Sequence, residues 1–243
     1  MELAGRNALV TGGGTRLGRA LATALAEAGC AVALQYWRSA IGAREAVETI
    51  EAGGGRSRAF CYDLSQPPAC SDLLRDATAG LGTIEILVNS AAVFLPGTLA
   101  STTVAEWEAQ FALNLRAPFL LTQAFASRLG ASRPGRVVNI ADARVRRAAS
   151  GHLAYRLTKA ALAHMTEVLA VELAPWVTVN AVAPGAILTP PGEAAEAFAE
   201  RVGRVVPLRR PGGPQSLVDA VLYLLRADFA TGVVLPLDGG EYL

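Results

Sequence analysis

Apolar positions along the chain form short continuous runs that alternate with longer segments of helical period. Asn7–Thr11 is one run, and Gly12-Gly13-Gly14-Thr15-Arg16-Leu17-Gly18 turns it into a segment with Leu17, Leu21 and Leu25 on one face, stopped at Gly29. Cys30–Tyr36, Arg58–Tyr62, Ile84–Asn89, Arg136–Ile140, Val177–Ala183 and Val233–Leu237 are further runs. Nearly unbroken apolar runs suit parallel strands buried on both faces. Between them the spacing predicts a helix N-capped by Ser39 and running to about Glu51, and another opened by Pro67-Pro68. Further helices are predicted over 104–129 with a kink at Pro118, over 152–173 and over 214–226. Strand–helix alternation of this kind predicts an α/β fold, a doubly wound parallel sheet of about seven strands with helices on both faces. No internal repeat or linker divides residues 1–243, so a single domain is expected. Residues 186–210 break the alternation: Pro190-Pro191, an Ala/Glu-rich helical piece, then Arg209-Arg210-Pro211-Gly212-Gly213. Following the sixth strand, at the sheet edge where ligands bind, they read as a flap over the substrate.

Composition narrows the class. A length of 243 residues with 52% hydrophobic content supports one large α/β domain with a sizeable core. A net charge of +1 argues against nucleic acid or an anionic membrane as partner. No stretch approaches the ~20 apolar residues that span a bilayer. Met1-Glu2 leads almost directly into the first strand without a basic-then-apolar leader, so a soluble cytoplasmic protein is expected. Cys30, Cys61 and Cys70 lack metal-ligand spacing; Cys30 and Cys61, beside or inside apolar runs, read as buried reduced thiols. His152 and His164 have no metal partner or nucleophile at useful spacing and are given no role.

The chemistry-bearing stretch is Val137-Val138-Asn139-Ile140-Ala141-Asp142, a basic loop, then Tyr155-Arg156-Leu157-Thr158-Lys159. Tyr155 and Lys159, four apart, share one helix face. A nearby cation favours the phenolate, so Lys159 is expected to lower the Tyr155 pKa toward neutrality. Asp142 falls at the end of the strand before this helix, where open α/β sheets bind ligands. Together they read as a proton-transfer site, although a Tyr-x-x-x-Lys pair also arises by chance on a long helix.

The first turn offers backbone N–H groups at a helix N-terminus for a pyrophosphate, with Arg16 where such turns commonly carry glycine. An NAD site carries a carboxylate at the end of the second strand. Here that strand ends Gln35-Tyr36-Trp37-Arg38-Ser39, whose guanidinium and hydroxyl suit a 2′-phosphate, which favours NADP(H). Arg16 could reach the same phosphate or the pyrophosphate. The plain alternative is that Arg38 is a solvated loop charge.

As a set, these pieces resemble the short-chain dehydrogenase/reductase family over essentially the whole chain: Thr11-Gly12 to Gly18, Asp63-Leu64, Asn89-Ser90-Ala91, Asn114, Tyr155-x-x-x-Lys159, Pro184-Gly185 and Asp238-Gly239-Gly240. The resemblance implies a Rossmann domain with Tyr155 as acid–base group, and Lys159 on the nicotinamide ribose. It implies that Asn114 holds a water in the proton relay. Gly12, Thr15, Arg16, Leu17, Gly18, Arg38, Ser39, Asp63, Leu64, Asn89, Ser90, Ala91, Pro184 and Gly185 would contact the cofactor, with Asp63 and Asn89 along its adenosine half. A homotetramer is implied too, through the helices around 104–129 and 152–173.

The departures are informative. The family's serine, thirteen residues before the tyrosine, is here Asp142. With Arg16, the strand-two ending and the continuation Ala92-Val93-Phe94, it resembles the pteridine reductase subgroup, in which a pterin would lie between the nicotinamide and Phe94. Arg16, Phe94, Asp142 and Tyr155 would then contact the substrate. An ionised Asp142 only accepts hydrogen bonds, which suits ring N–H groups or a protonated imine rather than a developing oxyanion. The expected activity is NADPH-dependent reduction of a pterin C=N bond, taking dihydropterin or dihydrofolate to the tetrahydro form. A carbonyl or 3-oxoacyl thioester reductase is the alternative, because a protonated Asp142 can donate to a ketone. A non-catalytic NADP-binding sensor is a second. Phe94 also stands where core-packing aromatics are common. The run Arg144, Arg146 and Arg147 reads as a solvated loop or subunit contact before an anion site.

Overall fold

The computed structural model describes residues 1–130 and 133–243, apart from the side chain of Arg146. Seven strands, β1 (Asn7–Val10), β2 (Ala31–Tyr36), β3 (Arg56–Cys61), β4 (Ile86–Asn89), β5 (Gly135–Ile140), β6 (Val177–Pro184) and β7 (Val234–Leu237), form one sheet in the order β3-β2-β1-β4-β5-β6-β7. Every pairing is parallel. This is the doubly wound, single-domain Rossmann arrangement. The helices are α1 (Arg16–Glu27), α2 (Ala40–Ala52), α3 (Pro67–Leu81), α4 (Val104–Phe111), α5 (Ala117–Leu129), α6 (Leu153–Glu172), α7 (Ala195–Val205) and α8 (Gly213–Arg226).

Alternation along the central strands explains the two layers. Ala8 and Val10, Ile86 and Val88, and Val138 and Ile140 face a cluster with Leu21, Leu25, Ile50 and Leu224. Leu9, Leu87 and Val137, one residue out of step, face Leu73, Leu74, Leu121 and Phe125. Both faces of each strand are thus packed, which is why these runs are apolar throughout and not alternating. α1, α2 and α8 cover one face; α3, α5 and α6 cover the other.

The long helix expected over 104–129 is two helices. Thr103 and Glu106 form a capping box that starts α4. At Ala112–Arg116 the chain widens into a π-helical turn in which the Ala117 N–H reaches back to the Ala112 carbonyl. Pro118 has no N–H to return to the Asn114 carbonyl, so regular α pairing fails there and the distortion precedes the proline. Cys61 is exposed rather than buried, because it ends edge strand β3 pointing outward; Cys30 and Cys70 are buried and their thiols are pushed up to about 11 by burial. Among the described residues no helix is long and apolar enough to cross a membrane.

Candidate active site

The strand order reverses between β1 and β4, and the crevice beyond the carboxyl ends of the strands is where such sheets bind ligands. A cavity of about 660 Å³ opens there. Its walls come from every strand end around the switch. Thr11, just past β1, accepts the Ser90 and Ala91 N–H groups on Oγ1 at 2.9 and 3.0 Å. Gln35, buried in β2, accepts the Gly12 N–H at 2.9 Å and donates to the Tyr62 carbonyl at 2.7 Å. These two side chains hold the glycine turn against its neighbours.

The turn itself supplies Gly12, Thr15, Arg16, Leu17 and Gly18 to the cavity. A Cβ on Gly18 would lie 2.1 Å from the Gly12 carbonyl oxygen, so only a bare backbone lets α1 start this close to the strand. Arg16 has φ +47°, in the left-handed region that favours glycine. Its guanidinium donates to the Thr189 carbonyl at 3.1 Å, joining the turn to the segment after β6. Ser39 stands at the N-cap of α2 but its side chain makes no cap bond; it faces the cavity instead. Asp63, Ser90, Ala91, Pro184 and Gly185 also line the cavity.

Four of the sequence-assigned positions do not line it. Arg38 is exposed beside the lining residues Trp37 and Ser39. Leu64 is buried in the core. Asn89 is buried beneath the site and donates to the Asn139 side chain at 2.8 Å. Asn114, also buried, accepts the Val93 N–H at 2.8 Å, donates to the Val93 carbonyl at 2.9 Å and donates to Thr158 Oγ1 at 3.3 Å. Leu64, Asn89 and Asn114 pack behind the lining residues, and Asn114 fixes the chain that presents Phe94.

At the centre, Tyr155 donates from its hydroxyl to Asp142 Oδ2 at 2.9 Å. Arg144 donates to the same oxygen at 2.9 Å, and its backbone N–H reaches Oδ1 at 2.8 Å. Both interactions follow from Asp142 capping a short 3-10 helix, Ala143–Arg146. Arg144 is therefore half-buried on Asp142, not a solvated loop charge. Lys159 is buried, with its ammonium 5.8 Å from the Tyr155 ring centroid, and donates to the Ile140 carbonyl at 2.6 Å. Burial draws it down to about 8, against the pull of Asp142. Tyr155 moves opposite to the sequence expectation. Its pKa is raised, first by burial and then by the charge and hydrogen bond of Asp142, with Arg144 opposing. Tyr155 is thus a neutral phenol, a proton donor held against an acceptor.

Phe94 packs edge-on to Tyr155, centroids 4.6 Å apart at 85°, and stacks on His152 at 4.1 Å and 28°. His152, given no role from sequence, starts α6 at φ +51° with Nδ1 3.2 Å from the Leu95 carbonyl. The sequence reading also missed Glu241, Tyr242 and Arg201, which line the same cavity. Burial raises Glu241, while Arg144 pulls it toward its charged form. No local pattern marks these three: Glu241 and Tyr242 arrive only because the fold returns the C-terminus to β6, and Arg201 is brought in by α7.

The donor set fits a dinucleotide. The glycine turn is bare at a helix start, the Ser39 hydroxyl is uncommitted to a cap, and a buried ammonium with three N–H groups spends one on Ile140.

The chain is similar to known proteins over nearly its whole length. A family profile described as enoyl-(acyl carrier protein) reductase matches residues 14–241. An oxidoreductase of Mycobacterium tuberculosis (strain CDC 1551 / Oshkosh) is 38% identical over 239 residues, covering 96% of this chain and 90% of that protein. L-xylulose reductase of Bos taurus is 35% identical over 252 residues, covering 99% of this chain and 98% of that one. The crystal structure of FolM alternative dihydrofolate reductase 1 from Brucella canis, complexed with NADP, superposes with a TM-score of 0.94 at 32% identity, covering 99% of this chain and 95% of that chain.

Proposed function

The chain belongs to the short-chain dehydrogenase/reductase family, and we propose that within it the protein is an NADPH-dependent reductase of a pterin ring C=N bond, acting on a dihydropterin or dihydrofolate. The observation that carries this reading is the bond from Tyr155 to Asp142 at 2.9 Å beside Phe94. A carboxylate here repels an alkoxide but accepts from ring N–H groups. The likeness to an alternative dihydrofolate reductase solved with NADP supports both substrate class and cofactor.

NADPH, when bound, supplies the hydride. Lys159 would hold the nicotinamide ribose with its remaining donors, and Ser39 with the neighbouring Arg38 would hold the 2′-phosphate. Phe94 carries the flat ring. Asp142 receives the ring N–H edge, and the proton for the ring nitrogen leaves the Tyr155 hydroxyl, through Asp142 or water. Water is kept out by the segment 186–210, a flap tied to the glycine turn by Arg16 and Thr189. It anchors through Phe198 and Val202 of α7 and Val206 just past that helix. Exposed apolar side chains on α5 and α6, among them Phe119, Leu157 and Val168, support pairing with further copies into a homotetramer.

Similarity to L-xylulose reductase favours a second reading, reduction of a ketone. NADPH consumption measured with dihydrobiopterin, dihydrofolate and a 3-oxoacyl thioester, for the native chain and Asp142→Ser, decides between them. Pterin turnover lost in the variant is the expected result. Carbonyl turnover without pterin turnover overturns the proposal, and NADPH binding without turnover on any of the three leaves a cofactor-holding protein.

A further inference from the structure

The two groups that would receive the substrate, Asp142 and Phe94, already have an occupant. The Arg144 guanidinium donates to Asp142 Oδ2 at 2.9 Å, and its central carbon lies over the Phe94 ring at 5.3 Å from the centroid. A guanidinium is a planar N–C–N unit with N–H groups along its edge. The 2-amino pyrimidinone edge of a pterin has the same N–C–N pattern. One carboxylate and one aromatic face therefore hold, from within the chain, the chemistry that the reading above assigns to the substrate.

We propose that Arg144 is a displaceable internal competitor: its guanidinium occupies the substrate subsite, and only a ligand offering comparable N–H donors to Asp142 removes it. This rests on the pterin reading for the identity of that ligand, but the competition itself does not. Arg144 is well placed to leave. Its side chain is 37% exposed and it belongs to a single 3-10 turn, so a side-chain rotation frees the carboxylate without moving α6. Asp142 stays partly satisfied meanwhile, because the Arg144 backbone N–H and the Tyr155 hydroxyl remain bound to it.

Two consequences follow. The apparent affinity for substrate is reduced by the fraction of molecules in which Arg144 holds Asp142. For a half-exposed ion pair that factor is about three- to tenfold. Selectivity also improves, because a ketone has no N–H to replace the donors that Asp142 would lose.

The test compares the native chain with Arg144→Ala and Arg144→Lys, each first shown to unfold cooperatively. The KM for dihydropterin is expected to fall about three- to tenfold in Arg144→Ala, with Arg144→Lys between the two because it keeps the charge and loses the fork. Methylguanidinium should bind the NADPH-loaded Ala variant by calorimetry at millimolar concentration, fail to bind the native chain, and fail again in the Asp142→Asn/Arg144→Ala double variant. A KM that rises or stays the same in Arg144→Ala overturns the proposal, as does absence of methylguanidinium binding. If the native chain turns over no pterin yet methylguanidinium binds only when Arg144 is removed, the substrate reading fails and the internal competitor stands.

Discussion

Arg144 and Tyr155 donate to one and the same oxygen, Asp142 Oδ2, at 2.9 Å each. One donor is a permanent cation and the other a phenol whose pKa is raised. The tyrosine thus enters the reaction holding its proton, which suits reduction, in which a proton must be given.

Replacing Tyr155 by Phe removes that proton and leaves the ring that packs on Phe94. We expect kcat to fall by about 10²–10⁴. Single-turnover measurement with NADPH bound checks this, and a fall of less than tenfold would give the proton to another group.

Lys159 makes a pH prediction. In the unfolded chain it titrates near 10.5, and in the fold burial draws it down to about 8. Between those values the unfolded chain holds a proton that the folded chain does not, so stability rises with pH across the window. Below pH 8 the full cost of a buried ammonium is present. Above pH 10 the raised Tyr155 works the other way, since the unfolded tyrosine ionises first. Stability of the cofactor-free chain should therefore climb by roughly 2–3 kcal/mol from pH 8 to 10, seen as a shift in urea midpoint that Lys159→Met abolishes. Over the same range kcat/KM for NADPH should fall as the ammonium is lost.

Gly18→Ala would set a methyl 2.1 Å from the Gly12 carbonyl oxygen. Backbone must move, at a cost of about 1–3 kcal/mol or more. The same movement opens the pyrophosphate cradle, so NADPH fluorescence titration should show affinity lost along with the drop in Tm.

Arg16→Gly separates strain from function. Relief of the left-handed arginine contributes about 1–2 kcal/mol, and the greater freedom of glycine in the unfolded chain offsets about 0.5–1 kcal/mol of it. Stability should hold or rise slightly, while hydrogen exchange quickens across 186–210 because the bond to Thr189 is gone. An unchanged exchange rate there would count against the flap.

The strands and the Tyr155–Lys159 face were legible in the sequence because each depends on neighbours in the chain: apolar runs, turn glycines, a four-residue spacing. The π-helical turn was less so, since it reflects Pro118 together with the packing of Asn114 on Val93 and Thr158. The direction of the Tyr155 shift differs because a spacing rule counts the cation at 159 but weighs neither burial nor the direct hydrogen bond to Asp142. His152 on Phe94, and Glu241 with Tyr242 in the cavity, leave no trace in local pattern; they exist only once the chain is folded.

The Thr11 hydroxyl has a last implication. One oxygen takes both amides where β4 leaves the sheet, and so stitches the two strands that flank the switch point. Valine has the same shape and cannot accept either bond, so two amides would be left without their acceptor. Position 11 thus calls for a short side chain with an acceptor oxygen, and the start of the loop after β4 is pinned to that single atom.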